Sequence, residues 1–171
     1  MKKDKELLDV VDENDNIIGQ DIKKNKFEKG LISRNVAIFI LDNNKKLLIV
    51  KRSPHKKSFP NRYDLAACGN VKAGESYEEA AKREVKEELN IECDLIFLGK
   101  IFNQLKEKNI EIKYFTGIFL GYFSGGVELN DELVELKRLS VEETEVLLSK
   151  NKNLFSPGFV NDFFAVKDKL E

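Results

Sequence analysis

The chain has 171 residues, 42% hydrophobic and 35% charged, the composition of a globular fold with a proper core rather than a disordered chain. Twenty-nine Lys and Arg against 30 Asp and Glu leave a net charge of −1, so no global field draws it to nucleic acid or an anionic membrane. Cys68 and Cys93 are the only cysteines and give no disulfide framework.

The N-terminus, MKKDKELLDV, carries charge but no apolar signal core, and no apolar run approaches the ~20 residues of a membrane span. A cytoplasmic protein with a single domain over residues 1–171 is the expectation. Leu7–Val11 and Asn16–Asp21 read as strands around the turn-rich Asp12-Glu13-Asn14-Asp15. With the basic polar stretch Lys23–Lys29 they make a hairpin and lead-in over residues 1–33. An apolar strand over Val36–Leu41 turns at Asp42-Asn43-Asn44 and pairs back through Leu47–Lys51. A loop, Ser53–Arg62, holds Pro54 and Pro60 and breaks regular structure before a short strand at Leu65–Ala67.

Beyond a helix that follows Ser76, strands are predicted at Ile96–Asn103, Ile112–Phe123 and Val134–Leu139, the second closed by Ser124-Gly125-Gly126. Ser140-Val141-Glu142-Glu143 reads as a capping box opening a helix through about Leu148. Ser156-Pro157 sets the N-cap and first position of a last helix. Its Phe159, Val160, Phe163, Phe164 and Val166 read as core. Strands interleaved with helices predict an α/β layered domain with a mixed sheet.

The most informative stretch is residues 69–91, GNVKAGESYEEAAKREVKEELNI. Ser76 and Glu79 make a capping box, Tyr77, Ala81, Val85 and Leu89 form a core stripe four apart, and Asn90 suits a left-handed helix end. Glu84, Glu87 and Glu88, at i, i+3 and i+4, place three carboxylates on one face. Like charges so spaced destabilise a helix by a few tenths of a kcal/mol per pair unless neutralised. A divalent cation does this, and Mg²⁺ takes carboxylates together with substrate phosphates. Arg83, four residues before Glu87, can orient that carboxylate by a forked hydrogen bond. A solvated Glu/Lys surface helix would explain the acids but not Gly69, Glu75 and Arg83 in register with them.

That register resembles the Nudix box, G-x5-E-x7-R-E-U-x-E-E-x-G-U with U aliphatic, matched throughout except that Asn90 stands at the last glycine. The resemblance implies an α/β/α sandwich and a Mg²⁺- or Mn²⁺-dependent hydrolase of a small phosphorylated substrate, a nucleoside di- or triphosphate or a nucleoside diphosphate linked to another group. It implies a cation held by Glu84, Glu87, Glu88 and the backbone carbonyl of Cys68, oriented by Arg83 and Glu75, with Gly69 and Asn90 structural. The general base is open among Glu87, Glu111 and Glu132. The basic loop carries Arg52, Lys56 and Lys57 as phosphate contacts; His55 reads as a solvent-exposed loop residue. A homodimer is the candidate assembly.

LLDVVDENDNIIGQ, the segment LLIVKRSPHKKSFPNRYDLAACGNVKAGES and FSPGF resemble the Nudix subgroup that includes type I isopentenyl-diphosphate isomerase. Cys68 falls at that family's catalytic cysteine and Glu111 near its catalytic glutamate. Its histidine metal site does not carry over: those positions read Phe27, Ser33 and Asn70, and His55 is the only histidine. Cys68 is therefore expected to be a small buried residue. Isomerase, and a non-catalytic binding module of the same fold, stand as alternatives.

Overall fold

The computed structural model describes residues 5–56, 58–107, 109–128 and 133–170. Strands β1 (Leu7–Val11) and β2 (Ile17–Ile22) form an antiparallel pair and run into a short helix α1 (Lys23–Glu28). The basic stretch is thus a helix, begun where the Lys23 N–H reaches the Glu6 carbonyl at 2.8 Å.

The large sheet is built on β3 (Ile32–Leu41), followed by β4 (Leu47–Arg52), β5 (Tyr63–Asp64) and β6 (Ala67–Asn70). Helix α2 (Tyr77–Leu89) separates these from β7 (Leu95–Glu107), β8 (Ile110–Tyr122) and β9 (Leu133–Leu139). Helices α3 (Val141–Lys150) and α4 (Pro157–Val166) complete the described chain. β3 runs parallel to β8 in register from Ile32↔Lys113 to Leu41↔Tyr122, and antiparallel to β6 on its other edge. β8 carries β7 antiparallel, while β4 takes β9 and β5.

Two expectations are corrected here. The turn after β3 reverses the chain, but β3 and β4 pair only at Leu41↔Leu47; each strand then finds longer partners elsewhere. The expected strand at Leu65–Ala67 falls mostly between two: β5 ends at Asp64, and β6 begins at Ala67 and runs on through Gly69 and Asn70, which pair with β3.

Both faces of the sheet are covered, which explains why Val36–Leu41 is a continuous apolar run rather than an alternating one. Ala37, Phe39 and Leu41 face a core closed by Val141, Leu148, Phe155, Phe159, Val160, Phe163 and Val166 from the α3–α4 side. Val36, Ile38 and Ile40 face a second core with Ala80, Ala81, Val85 and Leu89 of α2. The architecture is an α/β/α sandwich. Phe155, Phe159 and Phe163 stack in series, centroids 4.8 and 5.8 Å apart, and are core, whereas Phe164, also expected there, is 50% exposed on the outer side of α4. No helix among the described residues is long and apolar enough to cross a membrane.

The N-terminal hairpin braces the segment ahead of α2. Ala73 N–H donates to Leu7 O and Gly74 N–H to the buried Asp9 carboxylate, both at 2.9 Å; Gly74 has φ +78°, a conformation that glycine takes at no steric cost. Asp15, in the hairpin turn, receives Arg34 Nε at 2.6 Å, the Tyr77 hydroxyl at 3.1 Å and the Lys100 ammonium. One carboxylate thus pins the hairpin to β3, α2 and β7.

In α4, burial pushes the Asp162 carboxyl up to about 7, against the opposing hydrogen bond from Asn103. A carboxyl raised on folding binds more protons when native, so stability falls as pH rises from the ordinary carboxylate range through 7. Asp162→Asn should flatten that decline and exceed the wild type at pH 8 by about 1 kcal/mol or more, each pK unit being worth about 1.4 kcal/mol. Urea denaturation at pH 5 and pH 8 checks it; an equal fall in both proteins would refute it.

Candidate active site

Helix α2 starts as its sequence predicts. Ser76 Oγ accepts from Glu79 N–H at 3.2 Å and Glu79 returns the bond to Ser76 N–H at 2.8 Å. It ends at Asn90, left-handed at φ 54°, ψ 32°. Ala80, Ala81, Val85 and Leu89 are buried and Tyr77 is half-buried, which fixes the rotation of the helix and turns Glu84, Glu87 and Glu88 toward β6.

Strand β6 meets these acids with its backbone. In an extended strand the N–H and C=O of one residue point to the same side. Cys68 N–H donates to Glu88 Oε2 at 3.1 Å, so the Cys68 carbonyl is also directed at α2. Two residues on, Asn70 O accepts from Arg83 Nη2 at 2.9 Å. Between them, a Cβ on Gly69 would lie 2.1 Å from Glu84 Oε1. Only glycine lets the carboxylate approach this closely.

Arg83 ties the cluster together. Nε and Nη2 fork onto Glu75 at 2.7 and 2.8 Å; Nη1 bonds Glu84 and stands 3.6 Å from Glu87. Burial alone would raise Glu75, but this fork and the Lys72 N–H outweigh it and hold the carboxyl below its usual value. Glu84 and Glu88 go the other way. Burial raises both, opposed for Glu84 by the Arg83 hydrogen bond and reinforced for Glu88, which reaches about 7, by the Glu84 charge. A buried acid, a half-buried one and an exposed third are oxygen donors of the kind that suits a hard cation. Among the described residues no three His, Cys, Asp or Glu side chains are gathered closely enough to hold a metal ion as they stand; Arg83 bonds Glu84 and lies 3.6 Å from Glu87.

The acids line a cleft of about 180 Å³ together with Arg52, Lys56, Cys68, Gly69 and Asn70. Glu6 and Lys23 of the N-terminal unit also line it. Neither was legible as a site residue, because nothing in sequence places the hairpin over the cleft; the basic stretch was the one hint of Lys23. Arg52 is also a brace: Nη1 reaches Asp64 at 3.1 Å, and Nε and Nη2 bond Ser58 O. Among the described residues these bonds occupy three of its five N–H donors, leaving two for a ligand. Glu111 does not line the cleft; it lies exposed at the start of β8 with Lys113 and Gln104. Lys57 and Glu132 lie outside the described residues.

The family profile of the NUDIX domain matches residues 31–163. The chain belongs to the Nudix family. It is 40% identical over 97 residues to an uncharacterized Nudix hydrolase of Nostoc sp., 56% of this chain and 57% of that one, so it spans little more than half that relative's length. It is 28% identical over 156 residues to an isopentenyl-diphosphate Delta-isomerase of Photorhabdus laumondii, covering 90% and 88% of the two chains. A crystal structure from Deinococcus radiodurans superposes with a TM-score of 0.71 at 27% identity, covering 85% of this chain and 90% of that one.

The Nudix box of this chain departs from the pattern only at Asn90, whose left-handed backbone does what the missing glycine would do. Burial pushes the Cys68 thiol well above its usual value, with Asp64 and Glu88 adding to it, and a thiol kept protonated is a poor nucleophile. Behind it, a separate cavity of about 90 Å³ is lined by Asn35, Asp64, Tyr114 and Asp162 as well as Cys68.

Gly69→Ala forces a methyl group onto Glu84. The variant should lose about 1–3 kcal/mol, the range for overpacking, and Mg²⁺ should no longer raise its melting temperature. Thermal melts with and without Mg²⁺ test this, and a wild-type Mg²⁺ response in the variant would sink it.

Proposed function

We propose that the chain is a divalent-cation-dependent hydrolase that cleaves a phosphoanhydride in a small substrate, a nucleoside di- or triphosphate or a nucleoside diphosphate linked to another group. One observation carries the reading: the acids Glu84, Glu87 and Glu88 and the cations Arg52, Lys56 and Lys23 line one cleft. Carboxylates alone would repel a diphosphate, and cations alone would bind it without assisting its cleavage. Mg²⁺ or Mn²⁺ on the three glutamates and the Cys68 carbonyl would supply Lewis-acid charge to the phosphate oxygens and the attacking water.

The remaining work belongs to the chain. Water attacks phosphorus, the P–O bond of the anhydride breaks, and the departing phosphate carries away the electron pair. A carboxylate accepts the proton of the water; Glu87, the most exposed of the three at 52%, is the candidate with freedom to do so. Arg83 and Glu75 hold Glu84 in place, while Lys56 and the free donors of Arg52 take phosphate oxygens. Phosphoryl transfer demands mostly positioning and electrostatics, which such a cleft offers.

A phosphate-release screen over nucleoside di- and triphosphates, dinucleoside polyphosphates, nucleotide sugars and isopentenyl diphosphate, with and without Mg²⁺, tests the reading. Glu87→Gln and Glu88→Gln should each abolish nearly all turnover while the fold survives, with metal-free stability level or slightly higher because carboxylate repulsion is relieved. Wild-type rates in both would reduce the helix to a solvated face. Cys68→Ala should retain most activity, since its position offers a carbonyl; loss of all activity with normal cation affinity would revive a thiol mechanism and the isomerase reading.

A further inference from the structure

Lys26 is a buried lysine, 6% exposed, and among the described residues no carboxylate stands within ion-pair distance of it. Its Nζ lies 3.3 Å from Asn70 Oδ1 and 3.4 Å from Asn35 Oδ1. It also sits over the rings of Tyr114 and Phe27, at 5.2 and 5.7 Å. Lys26 donates to both amide oxygens, and as an ammonium it has no lone pair to accept with, so it favours the arrangement in which each oxygen faces Lys26 and each NH₂ faces away. Burial lowers the Lys26 ammonium to about 7, with the Lys23 charge pushing the same way and Glu6 opposing, a cost that a surface lysine would not bear.

The two amides serve different spaces. Asn70 lines the carboxylate cleft, and Asn35 lines the smaller cavity behind Cys68. Asn70 Nδ2 has no acceptor among the described residues. It is not a sealed, unsatisfied atom either, since Ser33 Oγ is the one described side-chain group of that kind. Its NH₂ is therefore open to the cleft, while its backbone oxygen is fixed by Arg83. Glu84, Glu87 and Glu88 line the same cleft, yet among the described residues none of them accepts from this NH₂, which leaves the donor to an oxygen that enters the cleft.

We propose that Asn70 is a substrate-binding residue whose amide NH₂ donates to a phosphoryl oxygen in the cleft, and that Lys26 is the positioning residue that fixes its orientation. This rests on reading the cleft as a diphosphate site. With a neutral side chain at 26, the Asn70 amide is free to turn over, setting a carbonyl lone pair against the phosphate and weakening binding without touching the acidic wall.

Calorimetric titration of the full chain with methylenediphosphonate, a non-hydrolysable diphosphate, in Mg²⁺ tests the assignment, with a melting curve for every variant. Asn70→Asp exchanges the donor for an acceptor and gives Lys26 a counter-ion. Its Kd should rise roughly ten- to a hundredfold, the weight of a hydrogen bond to a charged group, while its melting temperature holds or increases. Lys26→Met should also weaken binding without loss of the fold, and Lys26→Arg, again donor-only, should restore it. Asn35→Asp places a carboxylate beside the same ammonium on the cavity side and should leave Kd close to wild type. Unchanged affinity in Asn70→Asp, or equal losses in Asn70→Asp and Asn35→Asp, would overturn the role of Asn70; unchanged affinity in Lys26→Met would overturn that of Lys26. A wild type that does not bind the probe would overturn the diphosphate reading of the cleft, and this assignment with it.

Discussion

Three carboxylates within two turns of one helix repel one another, and the site depends on the device that lets the fold hold them. That device is Arg83. Its guanidinium joins a loop acid, two acids of its own helix and the backbone of β6. A lysine could not do this: a point charge lacks the planar fork that reaches several acceptors at once. The arrangement is also tight, because Gly69 removes the one Cβ that would keep Glu84 off the strand. Helix and strand are thereby locked face to face by polar contacts, while Ala80, Ala81, Val85 and Leu89 set their spacing from below.

The N-terminal hairpin, largely outside the matched family segment, acts on the same lock from the other side. Its strand β1 bonds the loop that delivers Glu75, and Asp15 clamps Tyr77 in the first turn of α2. Glu6 and Lys23 then become walls of the cleft. A support that reaches both the loop and the helix start keeps Glu75 and Arg83 in register, and a small misplacement of such groups is costly when catalysis is positional.

What was legible in the sequence divides by range. Helix α2 could be read residue by residue, because capping, periodicity and the left-handed end are local properties of Ser76, Glu79, Val85 and Asn90. A layered α/β domain with a mixed sheet followed from alternating elements, and its form as an α/β/α sandwich from the resemblance. The parallel pairing of β3 with β8 was not legible, nor was the near absence of pairing between β3 and β4, since partner choice depends on what covers each face. For the same reason Glu111 was a reasonable candidate from a resemblance, yet the structure leaves it off the cleft. Lys26 was hidden among the lysines of a basic stretch: only the fold shows which of them is driven beneath Tyr114 and which remain in water.

Glu84, Lys26 and Asp162 lie buried, and Glu88 half-buried, near β6 or the cavity behind it, and each is held in a protonation balance that water would not choose. Burial of such groups opposes folding, so their concentration in one region is not explained by stability. The opposing contribution comes from the rest of the sandwich, where the phenylalanine stack and the aliphatic faces of β3 and β4 bury apolar surface without polar cost. The sheet therefore divides the labour. Strands β3 and β4 with helices α3 and α4 hold the fold together, and the short strand β6, with glycine in place of a bulky side chain, is where that stability is drawn on to keep opposite charges along one cleft.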